Sequence, residues 1–212
     1  MKNLALMIAA VLAAGCGSKA VQPDWKTNAG SSLKAYSQAY LKGESTRADA
    51  EFARARSEMA STGRPDLVAH AELYRCATRT AALEMDDCPG FAALVQDATA
   101  AERAYAQYLT GRWEGLDAAL LPEQHRAVVQ GRGALSAIAD PLSQLVAAGV
   151  LMRAGRVTPA DIAAATATAS AQGWRRPLLV WLGVSHQRAM AAGDTAEAAR
   201  LQRRIDLAAG TK

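Results

Sequence analysis

Ala48, Phe52, Ala55 and Met59 recur at intervals of three to four residues, and that interval returns in stripe after stripe along the chain. This spacing puts the four side chains on one face of an α-helix and scatters them over both faces of a strand, so it dictates helix. Leu67, Ala71, Tyr74, Thr78 and Ala81 form a second stripe. Phe91, Leu94, Ala98, Ala101, Tyr105 and Tyr108 form a third. Leu142, Leu145, Gly149 and Met152 form a fourth, and Leu201, Ile205 and Ala208 a fifth. No alternating pattern bounded by turn residues competes with them. Leu178–Val184 has the composition of a strand, but it runs into "SHQRAMAAG" without a break and reads as a buried helix.

The stripes are separated by start and stop signals. Arg64-Pro65-Asp66, Asp140-Pro141, Thr158–Asp161 and Asp194–Glu197 offer caps or a proline at the first helical position. Thr158 with Asp161, and Asp194 with Glu197, approximate a capping box. Gly43, Gly63, Gly111, Gly155, Gly173 and Gly193 mark helix ends. The spacing therefore predicts helices near 24–42, 45–62, 65–84, 90–110, 114–121, 122–131, 141–154, 159–172, 176–192 and 195–209. Links this short make neighbouring helices antiparallel. The fold class expected is all-α: antiparallel helical hairpins, stacked either as a repeat-like array or as an irregular bundle. Residues 111–140 are the least regular and could break the domain into two sub-arrays.

Composition agrees. Half of the 212 residues are apolar but only 5% are aromatic, because alanine supplies much of the apolar share, as in close-packed helices. The net charge is +4, with acids and bases interleaved. That balance, without a basic patch interleaved with aromatics, argues against a nucleic-acid partner.

The N-terminus opens with Lys2, the apolar run Leu4–Ala14 and then Leu12-Ala13-Ala14-Gly15-Cys16. The run is too short to span a bilayer as a helix. Charge, apolar run and terminal cysteine together resemble the lipobox signal of bacterial lipoproteins. The resemblance implies that residues 1–15 are removed and that Cys16 carries the lipid. Residues 16–23 would then be a tether, and 24–210 the periplasmic domain. Gly17, in place of the Asp that retains such proteins at the inner membrane, implies the outer membrane. An ordinary secretory signal cut near Ala14 and a buried start of the first helix are the other readings of these residues.

With Cys16 lipidated, Cys76 and Cys88 remain, and in an oxidising compartment an even pair reads as a disulfide. No C-x-x-C redox pair is present. His70, His125 and His186 lie too far apart in sequence to suggest a metal site, and neither metal nor cofactor is expected.

Gly43, Ala48, Phe52 and Ala55 have the offsets of the second helix of a tetratricopeptide repeat. Gly155, Ala160, Ala164 and Ala167 repeat them, as do Gly193, Ala198, Gln202 and Ile205. The mature domain thus resembles tetratricopeptide-like lipoproteins in three places. It departs from them at Gly111, where Leu116, Leu120 and Glu123 break the pattern. An irregular array would produce the same matches by chance.

No nucleophile elbow, phosphate loop or zinc helix is present, and no catalytic residue is assigned. Glu123 and His125 read as residues of a solvated helix start. Glu84, Asp86 and Asp87 read as a solvated turn. Tyr36 with Tyr40, and Tyr105 with Tyr108, each share a helix face and read as core or as the lining of a peptide groove. "GWRRP" (residues 173–177) reads as a loop whose tryptophan folds back on the core. The expected role is a membrane-anchored, non-catalytic scaffold that binds a protein or peptide. The alternative is a carrier of a small ligand or lipid in a cavity lined by residues such as Leu178, Trp181 and Met190. An enzyme built from dispersed carboxylates and arginines is the third reading.

Overall fold

The computed structural model describes residues 23–210. The signal peptide 1–15, the lipidation site Cys16 and all of the tether but Pro23 lie outside the described residues.

Ten α-helices and two 3-10 turns, with no strand, make up the regular structure among the described residues. They are α1 (Asp24–Lys42), α2 (Ser45–Ala60), α3 (Pro65–Ala81), α4 (Pro89–Ala92), α5 (Ala100–Leu109), α6 (Glu123–Val129), α7 (Pro141–Arg153), α8 (Pro159–Ala171), α9 (Arg175–Ala191) and α10 (Thr195–Ala209). The all-α expectation holds. None of these helices is long and apolar enough to cross a membrane.

The order of packing follows the order of the chain. Gly43 and Glu44 turn α1 back on α2, and Gly43 takes a left-handed conformation that closes the α1 C-terminus. Then α3 packs on α2, α7 on α3, α8 on α7, α9 on α8 and α10 on α9. The row does not stay open, because α9 also returns against α1. Trp174 is buried, and its indole N–H donates to Gln38 Oε1 on α1 at 3.3 Å. The tryptophan of "GWRRP" therefore folds back on the core as expected. Arg176 donates through Nε to the Tyr40 carbonyl at 2.8 Å and through Nη2 to Ser45 Oγ at 2.7 Å. Its guanidinium stacks 4.3 Å from the Tyr40 ring centroid and meets Glu84 at 3.1 Å.

Helix α7 is the centre of the domain. Residues Gln144 through Val150 are all buried, so this helix has no solvent face over two turns, the pattern of a central core helix. Its sequence stripe of Leu142, Leu145, Gly149 and Met152 understates that burial. Gly149 is needed because a Cβ there would lie 2.2 Å from the Thr80 carbonyl oxygen of α3. The α3 and α7 backbones touch at this point. Trp181 of α9 fills the same core, fully buried, with its indole N–H donating to the Ala81 carbonyl at 3.3 Å. A smaller apolar cluster, Leu182, Ala189, Ala198 and Leu201, joins α10 to α9.

Two predicted helices are replaced. The expected helix 90–110 is divided into α4 and α5, separated by turns over 93–98. The cause is a capping box: Thr99 Oγ1 accepts from the Glu102 backbone N–H, and the Glu102 carboxylate accepts from the Thr99 backbone N–H at 2.7 Å. The expected helix 114–121 is irregular chain with one 3-10 turn at Ala118–Leu120, capped by Asp117. The irregular stretch 111–140 does not divide the core, since α3, α5 and α7 pack on one another across it.

Candidate functional site

Between α5 and α7 the chain is irregular apart from α6, which packs on α7, and a cleft of about 650 Å³ opens there. Leu73, Tyr74 and Ala77 of α3 form one wall. Tyr105 of α5 and Val146 of α7 form the floor, and Leu120, Leu121 and His125 close the far side. Most of this surface is apolar. The polar groups are few: His70, Glu102, Gln124, His125, Asp140 and Ser143. Such a mixture is typical of sites that bury a ligand group and orient it with a few polar contacts.

His125 decides the character of the far wall. It sits on α6 and is buried, not on the solvated helix face expected for it, while Glu123 two residues away is exposed. Its Nδ1 lies 3.1 Å from the Tyr108 hydroxyl. The imidazole packs against both tyrosines of α5, with ring centroids 5.0 Å from Tyr108 and 5.9 Å from Tyr105. Tyr105 and Tyr108 stack at 5.9 Å, and Trp113 also stacks on Tyr108, at 6.1 Å. Burial lowers the His125 pKa to about 4, so the ring is neutral at pH 7. Burial likewise raises the Tyr105 and Tyr108 hydroxyls, which remain protonated. The second tyrosine pair, Tyr36 and Tyr40, belongs to the core, where Tyr36 also packs on Phe52 at 5.4 Å.

The two carboxylates of the cleft are helix caps. Asp140 Oδ2 accepts from the Ser143 backbone N–H at 2.7 Å at the start of α7. Glu102 holds the start of α5 as described above. Both carboxylates benefit from the positive end of a helix dipole. Neither forms an ion pair with a described lysine or arginine. The Asp140 charge acts on Tyr74, Tyr105 and His125 together, so its field covers the cleft.

The sequence pair Cys76 and Cys88 is a disulfide, with Cα atoms 5.4 Å apart. Asp86 lies beside the two sulfurs, which are bonded to each other, and its Oδ1 accepts from the Cys88 backbone N–H at 3.0 Å. The acidic turn around the bridge is not merely solvated. Arg79 pairs with Glu84 and Asp86, and Arg153 of α7 donates to the Asp86 carbonyl at 2.6 Å and to Asp87 at 2.6 Å. With Arg176 on Glu84, three helices hold this turn by arginine.

The three proposed tetratricopeptide matches pack differently. Ala48, Phe52 and Ala55 are buried between α1 and α3. In the second match Ala160 and Ala167 are exposed, and Ile162, Ala165, Thr166 and Ala169 bury α8 instead. In the third, Ala198 is buried and Gln202 exposed. The residues named for a carrier cavity also diverge: Trp181 is fully buried while Met190 is 57% exposed.

A second cleft of about 660 Å³ lies between α6 and the start of α8, lined by Val128, Leu135 and Ile138 and by the charged residues Glu123, Arg132, Arg156 and Asp161. Arg156 is partly committed, its guanidinium lying 4.8 Å from the Trp113 ring centroid.

No known protein family, curated protein or solved structure is significantly similar to this chain.

Proposed function

We propose that this protein is a lipid-anchored envelope lipoprotein, held at the outer membrane through Cys16, whose periplasmic helical domain binds another protein without catalysing a reaction. Within that reading the cleft between α3, α5, α6 and α7 receives an apolar segment of the partner. The observation that carries this is the composition of the cleft: a concave, mainly apolar surface with a neutral, buried His–Tyr pair behind it. A surface of that kind is costly to leave in water and gains by covering. The lipobox pattern ending at Cys16 supports the anchor, and the Cys76–Cys88 disulfide is at home in an oxidising compartment. Scaffolding in envelope assembly, secretion or a pilus apparatus is the class of task that suits such a domain.

The test uses a photo-crosslinking amino acid introduced in cells at Gln124, on the cleft rim, and separately at Ala196, on the outer face of α10. The expected result is one discrete adduct from position 124 that is absent from position 196. Adducts of equal yield from both positions, or none from 124, would reject the cleft as the partner site. Cys16→Ser tests the anchor independently: the protein should leave the membrane fraction for the soluble periplasm, and unchanged fractionation would reject lipidation.

A further inference from the structure

We infer that the segment received by the α3–α5–α6–α7 cleft is basic as well as apolar, seating a lysine or arginine side chain between Asp140 and Glu102 while its neighbouring hydrophobic side chains fill the floor. This inference rests on the proposed reading of the cleft as the partner site.

The argument is charge complementarity. The chain as a whole is basic, at +4, yet among the described residues Asp140 and Glu102 are the only Asp, Glu, Lys or Arg side chains that line this cleft. Neighbouring cations turn away. Arg103 gives its guanidinium to the Ala98 carbonyl, and Arg126 donates to the Leu121 carbonyl at 2.9 Å. Asp140 spends Oδ2 on its cap and Glu102 spends Oε2, which leaves Oδ1 and Oε1 without partners among the described residues. A cation placed against either free oxygen would gain a charge-assisted hydrogen bond. It would also lie beside Tyr74 and Tyr105, whose ring faces attract cations. The second cleft differs in carrying both signs, with Glu123 and Asp161 beside Arg132 and Arg156 in its lining.

The experiment uses the full lipoprotein in phosphatidylcholine nanodiscs and three probe peptides: acetyl-Leu-Lys-Phe-Leu-amide and its Gln and Glu counterparts at the second position. Affinities are read by calorimetry against empty nanodiscs. The lysine peptide should bind roughly tenfold or more tighter than the glutamate peptide. In the Asp140→Asn, Glu102→Gln double variant this preference should vanish. Both replacements keep a capping side chain, so the fold is retained. Equal binding of all three peptides, or a lysine preference that survives in the double variant, would overturn the basic occupant and leave the cleft as an apolar site. Absence of binding by all three at millimolar concentration would overturn the cleft reading itself. A response to dodecyltrimethylammonium alone, with no peptide bound, would do the same and assign the cleft to small cationic amphiphiles.

Discussion

Tyr108 and His125, seventeen residues apart, meet in the interior with the phenol oxygen 3.1 Å from the imidazole Nδ1, and that contact fastens α6 to α5. Behind the far wall of the cleft, the pair is buried and uncharged. It also gives the domain a definite response to acid.

The His125 pKa falls from an ordinary 6.5 to about 4 in the folded protein because burial penalises the charged ring. The unfolded chain therefore binds the proton first. The stability contributed by the neutral ring is present above pH 6.5 and is lost as the pH falls towards 4. Urea unfolding at pH 7 and pH 4.5 should show the stability difference between wild type and His125→Phe shrinking by roughly 2–3 kcal/mol at the lower pH. A difference that stays constant would place the ring in contact with solvent.

Gly149 and Gly183 both lie inside helices, yet alanine should act oppositely at the two. At Gly149 the new methyl would meet the Thr80 carbonyl at 2.2 Å, so α3 and α7 must separate. Gly149→Ala should cost about 3 kcal/mol, at the upper end for overpacked cores. At Gly183 nothing lies within 4 Å, and Gly183→Ala should stabilise α9 by about 0.5–1 kcal/mol through helix propensity. Thermal denaturation of the two variants reads both signs.

The Cys76–Cys88 bridge closes a loop of twelve-residue separation. On the chain-entropy account its loss, by Cys76→Ser with Cys88→Ser, should cost about 3 kcal/mol. The arginines on the same turn should keep it docked, so the double variant should still fold, with a lowered denaturation midpoint. A variant as stable as wild type would show that Arg79, Arg153 and Arg176 suffice alone.

Arg176 tests whether the closure of α9 on α1 depends on guanidinium geometry. Its fork reaches the Tyr40 carbonyl, Ser45 and Glu84 at once, and a lysine ammonium cannot span the three. Arg176→Lys should destabilise by about 1–3 kcal/mol. Arg175, its exposed neighbour, should tolerate Ala within about 0.5 kcal/mol. Hydrogen exchange should locate the loss at the α1 C-terminus and the α9 N-terminus.

By itself the sequence determined the helices, since helix formation depends on residues within a turn or two of one another. The stripe of Ala48, Phe52, Ala55 and Met59, and the caps at Thr158 and Asp194, all appear as expected. The Thr99–Glu102 capping box is equally legible in "TAAE", and it is what divides the apolar stripe of 90–110 into two helices. Only the tertiary structure decided which faces are covered and by what. His125 is polar in a segment with polar neighbours, and nothing local shows that two tyrosines of α5 enclose it. Asp140 and Glu102 cap different helices and become one acidic cleft only because α5 and α7 pack against the same side of α3. Arg176 and Tyr40 are 136 residues apart. Such pairings arise from the packing of whole helices, and local periodicity carries no record of which helix will be the neighbour.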